Sequence, residues 1–377
     1  MRVYLDNAAT TPLDKEVMQT MVGVMENHYG NPSSIHAHGR EVRTLVEKAR
    51  KTVANLLNTA PANIFFTSGG TEADNTAIKC AIEDFGITHA ITSKIEHHAV
   101  GHTLELLEKQ GKIKLSYVDL DQKGNIDYIH LEKLLQNNGR SLVSLMQANN
   151  ELGNLTDIER VGELCEKYNA IFHSDTVQTM GHYKHDLSKL KAHFIVGAAH
   201  KLHGPKGVGF LYVNPSIKIK PMINGGAQER NMRGGTENVY GIVGFAKALE
   251  MAYADMEQHK NHIQALKSYM IEQLKKTIPD IHINGETEAD KSLYTVLNVC
   301  FPKMEMADML LFNLDINGIS ASGGSACSSG SNIGSHVLTA INADPERPSV
   351  RFSFSKLNTK EEIDYTVEKL KEAFGEK

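Results

Sequence analysis

The chain has 377 residues, of which 41% are hydrophobic and 23% charged, and its formal net charge is −5. These fractions are typical of a soluble globular protein, and the length suggests one large and one small domain. The mild acidity, without a basic run, argues against nucleic acid or an anionic membrane surface as a partner. With no apolar run of roughly 18 residues and no signal-peptide pattern, a cytoplasmic location is expected.

Strand-like and helical runs alternate through the first two thirds of the chain. The spacing of apolar residues predicts helices over 14–26, over 39–57 and from about 70 to 83. Strands are predicted over 64–67, 89–92, 114–118, 142–146 and 170–172. Such alternation predicts an α/β fold built on a mostly parallel sheet.

The sequence pattern in the last third of the chain predicts a connector between domains and a smaller α+β unit. Residues 238–277 are polar and helical in pattern, and strands over 294–299 and 350–354 follow. A helix near 307–314, a Ser/Gly-rich loop and an amphipathic helix from Thr359 complete this part. We expect a large domain over 15–255 and a small domain formed by 1–14 and 256–377.

Lys201 lies in a glycine-rich turn between two apolar runs, 194–196 and 209–213. The pattern predicts a tight connection between two strands. A lysine there is either an ordinary solvated residue or one held in a cleft to form a Schiff base with a cofactor. The turn alone leaves both interpretations open.

The glycine turn at 68–71 follows a predicted strand and precedes a helix. Its glycines let the backbone approach a ligand, and the helix N-terminus favours an anion such as phosphate. Thr71 and Asp74 also have the spacing of a capping box, which is the structural alternative. The turn lacks the features of a Walker loop or a dinucleotide fingerprint, so ATP and NAD fit it poorly.

Asp175 follows a predicted strand, and the carboxyl ends of parallel strands are where α/β proteins bind ligands. The residue is either a helix N-cap or a carboxylate that keeps a pyridine nitrogen protonated, which makes the ring of pyridoxal phosphate an electron sink. An aspartate at a strand end and a Schiff-base lysine soon after it together suit that cofactor.

Three further residues stand out by their setting. His97, in the run 94–98, lacks companions at metal-ligand spacing, so no metal is expected; a histidine there could instead stack on a cofactor ring and move protons. Cys327 lies in a Ser/Gly-rich loop, which is typical either of a linker or of a mobile thiol. Arg351, in an apolar strand, suits a bidentate carboxylate clamp or an interdomain salt bridge.

With these residues assembled, the chain resembles the cysteine desulfurases of the NifS/IscS type, within the class V aminotransferase superfamily of PLP fold type I. The matching motifs occur in order along essentially the whole chain, at 4–12, 30–34, 66–72, 149–153, 173–178, 200–201, 230–236 and 322–329.

The resemblance implies a role for each matched residue. Lys201 would form the Schiff base, Asp175 would pair with the pyridine nitrogen, and His97 would stack on the ring. The other cofactor contacts would come from Gln178 and Asn150 near the phenolic oxygen, and from Gly70, Thr71, His200 and the second subunit's Thr236 at the phosphate. Arg351, with Asn150 nearby, would bind the carboxylate of L-cysteine, and the thiolate of Cys327 would take the substrate sulfur.

The implied function is a homodimeric, PLP-dependent cysteine desulfurase. It would form L-alanine and a persulfide on Cys327, and would pass the sulfur to an acceptor such as an iron–sulfur scaffold protein. Selenocysteine lyase and a weakly active sulfur-carrying homologue are the alternatives. Three departures bear on the match: Ala198 replaces a usual hydroxyl, 332–335 departs from the usual sequence after the cysteine, and the sequence ends soon after its last predicted helix.

Overall fold

Seven strands form the central sheet of the computed structural model, which describes residues 1–221, 223–304, 307–323 and 334–374. The strands of all the sheets in the described ranges, in chain order, are β1 Val3–Tyr4, β2 Ile64–Thr67, β3 His89–Thr92, β4 Lys114–Tyr117, β5 Leu142–Ser144, β6 Ile171–Asp175, β7 Phe194–Ala198, β8 Gly209–Val213, β9 His282–Asn284, β10 Val296–Cys300, β11 Ile319–Ser320 and β12 Ser349–Ser353. The central sheet has the order β2-β8-β7-β6-β5-β3-β4.

The helices alternate with the strands of this sheet and then continue into the C-terminal part. They are α1 Lys15–Asn27, α2 Ala37–Leu56, α3 Gly70–Phe85, α4 His98–Lys109, α5 Tyr128–Asn137, α6 Ile158–Lys167, α7 Val239–Ala254, α8 Met256–Thr277, α9 Leu310–Ile316, α10 His336–Ala340 and α11 Lys360–Phe374. The predicted connector over 238–277 is thus two helices, because the backbone leaves helical geometry at Asp255. Among the helices in the described ranges, none has the length and apolar content needed to cross a membrane.

The central sheet is mixed but mostly parallel. Strand β8 runs antiparallel to both β2 and β7, whereas the pairs from β7 through β6, β5 and β3 to β4 are parallel. The predicted α/β fold is therefore confirmed. Because parallel strands end at the same edge, the residues that follow β2, β3, β5, β6 and β7 meet there.

Helices cover both faces of the central sheet, as the packing of strand β7 shows. Phe194 and Val196 pack into a cluster with α3 and α4, whereas Ile195 packs into another cluster with α1, α2 and α7. This period of two matches the alternation of side chains along a strand. All three side chains are fully buried, as expected for a parallel sheet between two layers of helices.

The C-terminal part has its own apolar cluster. Its antiparallel sheet has the order β12-β10-β9, and β1 pairs in parallel with β11. The cluster joins Val3 and Leu5 at the N-terminus to residues of α8, β10, β12 and α11. The first residues of the chain are thereby held beside β12.

A buried ion pair anchors the segment around residue 229 to the central sheet. The Arg50 guanidinium donates two hydrogen bonds of 2.7 Å to the Glu229 carboxylate, which also accepts from the backbone N–H of Phe66 at 2.8 Å. Glu229 has a φ of 44° and Arg230 one of 57°, in the left-handed region that side chains other than glycine rarely adopt. The ion pair therefore holds a strained turn in place.

We expect Glu229→Gln to destabilise the protein strongly. The substitution leaves the buried Arg50 charge without its partner, and such changes cost about 3–5 kcal/mol. Urea unfolding at one fixed protein concentration measures the change. The matched control is Glu47→Gln, because Glu47 contacts the same guanidinium at 3.1 Å from a half-exposed position and should contribute less than about 1 kcal/mol. Equal losses in the two variants would contradict the assignment.

Candidate active site

Lys201 ends a short 3-10 turn, Ala199–Lys201, between β7 and β8, as the sequence predicts. Its Nζ donates to the backbone oxygens of Ala8 and Ala9, at 2.5 Å and 2.8 Å. The interpretation as an ordinary solvated lysine is therefore wrong: the amine lies in a cavity that Ala8 and Ala9 of the N-terminal segment help to line.

This cavity has a volume of about 270 Å³ and lies at the carboxyl edge of the parallel strands. It brings together the predicted site residues Gly70, Thr71, His97, Asn150, Asp175, Gln178, His200, Lys201 and Arg351. Ala198 also lines it, at the end of β7. Two predicted residues are missing from this set: Thr236 lies elsewhere, and Cys327 lies outside the described residues.

Asp175 ends β6 and is 6% exposed. Its Oδ1 accepts from the backbone N–H of Val177 at 2.8 Å in a turn, so the alternative interpretation as a helix N-cap is wrong. Burial raises the pKa of Asp175 to about 6, although the Val177 hydrogen bond and the Lys201 charge both favour the carboxylate. A cation placed against this carboxylate would lower its pKa again.

The opposite part of the cavity suits an anion. Helix α3 begins at Gly70, and its N-cap Gly69 has no side chain with which to satisfy the first backbone N–H groups. The predicted capping box of Thr71 and Asp74 does not form; Glu72 instead accepts from the backbone N–H of Ser68 at 3.0 Å. The helix N-terminus and the adjacent His200 therefore face a space suited to phosphate.

His97 caps the N-terminus of α4 through its ring. The Nδ1 atom accepts from the backbone N–H of Ala99 at 3.2 Å, so the proton of the neutral imidazole resides on Nε2. Burial, followed by the Lys201 charge, lowers the pKa of His97 to about 4. The ring is thus neutral over the physiological range and has one N–H to donate.

Arg351 lies on β12 with a side chain only 1% exposed. Its Nη1 donates to the backbone oxygen of Asn150 at 3.0 Å, and its Nη2 donates to Asp6 Oδ1 at 2.7 Å. Asp6 and Arg351 both belong to the expected small domain, so this ion pair is not the interdomain salt bridge, and the carboxylate clamp stays a prediction. Gln178 reaches the same N-terminal segment, where its Nε2 donates to the Ala8 oxygen at 3.1 Å.

Thr236 lines a second cavity, of about 180 Å³, together with Ser68, Arg233 and Glu237. This lining shares no residue with that of the first cavity. Within one chain, Thr236 is therefore not part of the cavity that contains Lys201.

Sequence reasoning missed Asp74, a second buried carboxylate in the cavity. Asp74 is 1% exposed, and its Oδ1 lies 3.2 Å from His173 Nε2. Burial and the neighbouring Asp175 and Glu96 raise its pKa well above the usual range. Asp74 lies three residues after Thr71 on the same helix, and this spacing could have placed both residues on one helix face. From the sequence, the spacing is interpreted as a capping box instead.

Donor atoms of Asp74, His97 and Asp175 lie within 4.8 Å of one another. In the described ranges, this is the one group of side chains close enough together to bind a metal ion. All three also line the cavity that contains Lys201. The expectation that no metal binds stays a prediction.

The three cysteines of the described residues are buried: Cys80, Cys165 and Cys300. Burial raises the pKa of the Cys80 thiol to about 12 and also raises that of Cys165. Both thiols therefore remain protonated and unreactive at neutral pH.

The neutrality of His97 can be measured directly. We expect its imidazole to titrate near pH 4, well below an ordinary histidine, because the protonated ring would be buried beside Lys201. NMR of the protein with labelled histidine, assigned by a His97→Gln variant, follows this titration. A midpoint near 6.5 would contradict the electrostatic description.

The chain matches known proteins along nearly its whole length. The family model described as aminotransferase class-V matches residues 3–366. The "Cysteine desulfurase IscS" of Dictyoglomus turgidum is 43% identical over 373 residues, covering 98% of this chain and 93% of the relative.

Two solved structures are also similar to the chain. One described as a NifS-like protein is 38% identical with a TM-score of 0.91, and 99% of each chain is covered. Another, described as SspA in complex with cysteine, is 30% identical with a TM-score of 0.81, and covers 95% of this chain and 100% of that one. The resemblance inferred from the motifs is thus confirmed, and the chain belongs to the aminotransferase class-V family.

Proposed function

We propose that this chain is a PLP-dependent cysteine desulfurase that converts L-cysteine to L-alanine and transfers the sulfur to Cys327. The observation that carries the proposal is the single cavity shared by Lys201, Asp175 and Arg351. These are an amine for the cofactor, an acid for its ring nitrogen and a cation for a substrate carboxylate. A relative with 43% identity bears the name cysteine desulfurase.

Pyridoxal 5'-phosphate is the cofactor of this family, and the cavity fits it. The buried Asp175 needs a cationic partner, while the uncapped start of α3 needs an anion. When bound, the cofactor accepts electrons from the substrate Cα, which allows the Cβ–S bond to break.

The chain's own residues then have separate tasks. Lys201 holds the cofactor and carries the proton taken from the substrate Cα, while Asp175 keeps the ring nitrogen protonated. Gln178 and Asn150 would hold the phenolic oxygen of the cofactor. The neutral His97 would stack on its ring, with the N–H of Nε2 available to donate. Gly70, Thr71 and His200 hold the phosphate, and Arg351 with Asn150 orients the substrate.

Sulfur transfer involves one thiolate and one C–S bond. The thiolate of Cys327 attacks the substrate sulfur, the S–S bond forms and the Cβ–S bond breaks, and the Cβ gains a proton. The products are L-alanine and a persulfide on Cys327, so atoms and electrons balance. An acceptor protein such as an iron–sulfur scaffold would then take the terminal sulfur. The cytoplasmic location stays a prediction.

We further propose a homodimer in which Thr236 of the partner subunit completes the phosphate site. Support comes from the separate cavity in which Thr236 lies within its own chain. Helix α1 also exposes an apolar stripe, with Met18 47%, Val22 43% and Met25 49% exposed. Such a stripe on a soluble protein is typical of an interface.

The division into a large domain over 15–255 and a small one over 1–14 and 256–377 also remains our proposal. It is supported by the separate apolar clusters around the central sheet and around β10 and β12.

The activity test uses L-cysteine and a reductant. We expect sulfide and L-alanine in equal amounts, and no sulfide from Cys327→Ala, which should keep the visible absorbance of the Lys201-bound cofactor. Cys300→Ala is the matched control, because this thiol is buried in β10. Full desulfuration by Cys327→Ala would contradict the role of that thiol, and full activity of this variant on selenocysteine alone would favour a selenocysteine lyase.

The role of Thr236 across the interface has its own test. Thr236→Ala should weaken cofactor binding by about tenfold or more, because one hydrogen bond to a charged group contributes about 1.5–3 kcal/mol, and Thr236→Ser should restore it. A mixed dimer of Thr236→Ala with Lys201→Ala contains one site with both residues intact. Cofactor affinity at that site should return to the unmodified value; no recovery would mean that Thr236 acts within its own chain or not at all.

A further inference from the structure

The guanidinium of Arg351 is already engaged by a carboxylate of its own chain. Asp6 Oδ1 accepts from Nη2 at 2.7 Å, while the Asn150 oxygen accepts from Nη1 at 3.0 Å. Nε is buried and has no hydrogen-bond partner among the described residues. Because an arginine has five N–H donors, Nε and the second N–H of each Nη remain for a ligand.

Asp6 is held in this place by a backbone contact on one side and a side-chain hydrogen bond on the other. It forms a bridge with Ser353 at the end of β12, and the N–H of Ser353 donates to the oxygen of Leu5 at 2.7 Å. Ser322 forms a backbone bridge with Arg351, and its Oγ donates to Asp6 Oδ1 at 2.8 Å. One carboxylate oxygen therefore accepts from both Arg351 and Ser322.

This arrangement has two electrostatic consequences. A buried guanidinium requires a counterion, and Asp6 provides it when no substrate is present. When a substrate carboxylate reaches the same guanidinium, two carboxylates share one positive charge and repel each other. The side chain of Asp6 is 19% exposed, so that its charge is partly screened by water.

We propose that Asp6 is a positioning residue that substitutes for the substrate carboxylate at Arg351 and sets the affinity of the site for amino acids. It holds the guanidinium so that Nε and the remaining N–H groups are available, and its negative charge weakens the binding of an incoming carboxylate. This proposal rests on the proposed function in one respect, that Arg351 binds the carboxylate of the substrate.

Asp6→Asn separates the charge of the residue from its shape. The asparagine keeps an oxygen that can accept from Arg351 and Ser322 but removes the competing anion. The probes are L-alanine and ethylamine, which differ by one carboxylate, titrated into the holoenzyme and followed by visible absorbance. L-Alanine should bind about 3- to 10-fold more tightly to the variant, the size of a partly screened charge interaction, and ethylamine should bind unchanged.

Matched variants separate this role from a purely structural one. Asp6→Glu keeps the charge and should retain the unmodified ratio of the two affinities. Ser322→Ala removes a hydrogen bond to the same oxygen without changing charge, and should also leave the ratio within about twofold. With L-cysteine, Asp6→Asn should lower KM more than it changes kcat. If Asp6→Asn does not fold, Asp6→Ser also removes the anion and carries the same expectation.

Two results would overturn the proposal. One is weaker binding of L-alanine to the neutral variants, and the other is an equal change for L-alanine and ethylamine, which would mean a general loss of structure. Because these titrations measure binding without sulfur transfer, they remain valid if the chain fails to release sulfide from L-cysteine.

Discussion

The shared direction of the strands in the central sheet is the constraint on which the cavity depends. Parallel strands end at one edge, and there each places a different chemical group: Gly70 after β2, His97 after β3, Asn150 after β5, Asp175 on β6 and Lys201 after β7. These residues are far apart in sequence, and no local motif could assemble them. Burial of both faces of the sheet fixes the register of each strand and hence the position of each group.

The N-terminal segment completes this edge by pairing with the basic groups that line it. The backbone oxygens of Ala8 and Ala9 accept from Lys201, Asp6 accepts from Arg351, and the Thr10 hydroxyl lies 3.2 Å from His200 Nδ1. The segment is itself tied to β12 through Asn7, whose side chain donates to the Ser353 oxygen at 2.8 Å. The central sheet and the C-terminal sheet thus meet in the same cavity through the first ten residues.

Much of this organisation is predictable because local patterns and chemistry agree. Alternation of strands and helices gives the fold, and Lys201 and Asp175 follow strands, where ligands bind. Asp74 and Asp6 were harder to assign, because their roles arise from contacts between segments. Asp74 matches a capping box in sequence, yet its helix begins at Gly70 and turns the carboxylate into the cavity. The contact between Asp6 and Arg351 spans 345 positions, which no spacing rule covers.

The charge distribution of the cavity favours a ligand that carries both a positive and a negative group. At one end, burial raises the pKa values of both Asp74 and Asp175, that of Asp175 to about 6, so a cation beside these groups is favourable. At the other end, the uncapped N-terminus of α3 favours an anion, while the pKa of His200 is lowered to about 4 and its ring stays neutral. A ligand with a protonated ring nitrogen and a phosphate group satisfies both ends at once. Each charged group of such a ligand would offset part of the desolvation cost of the polar groups buried beside it.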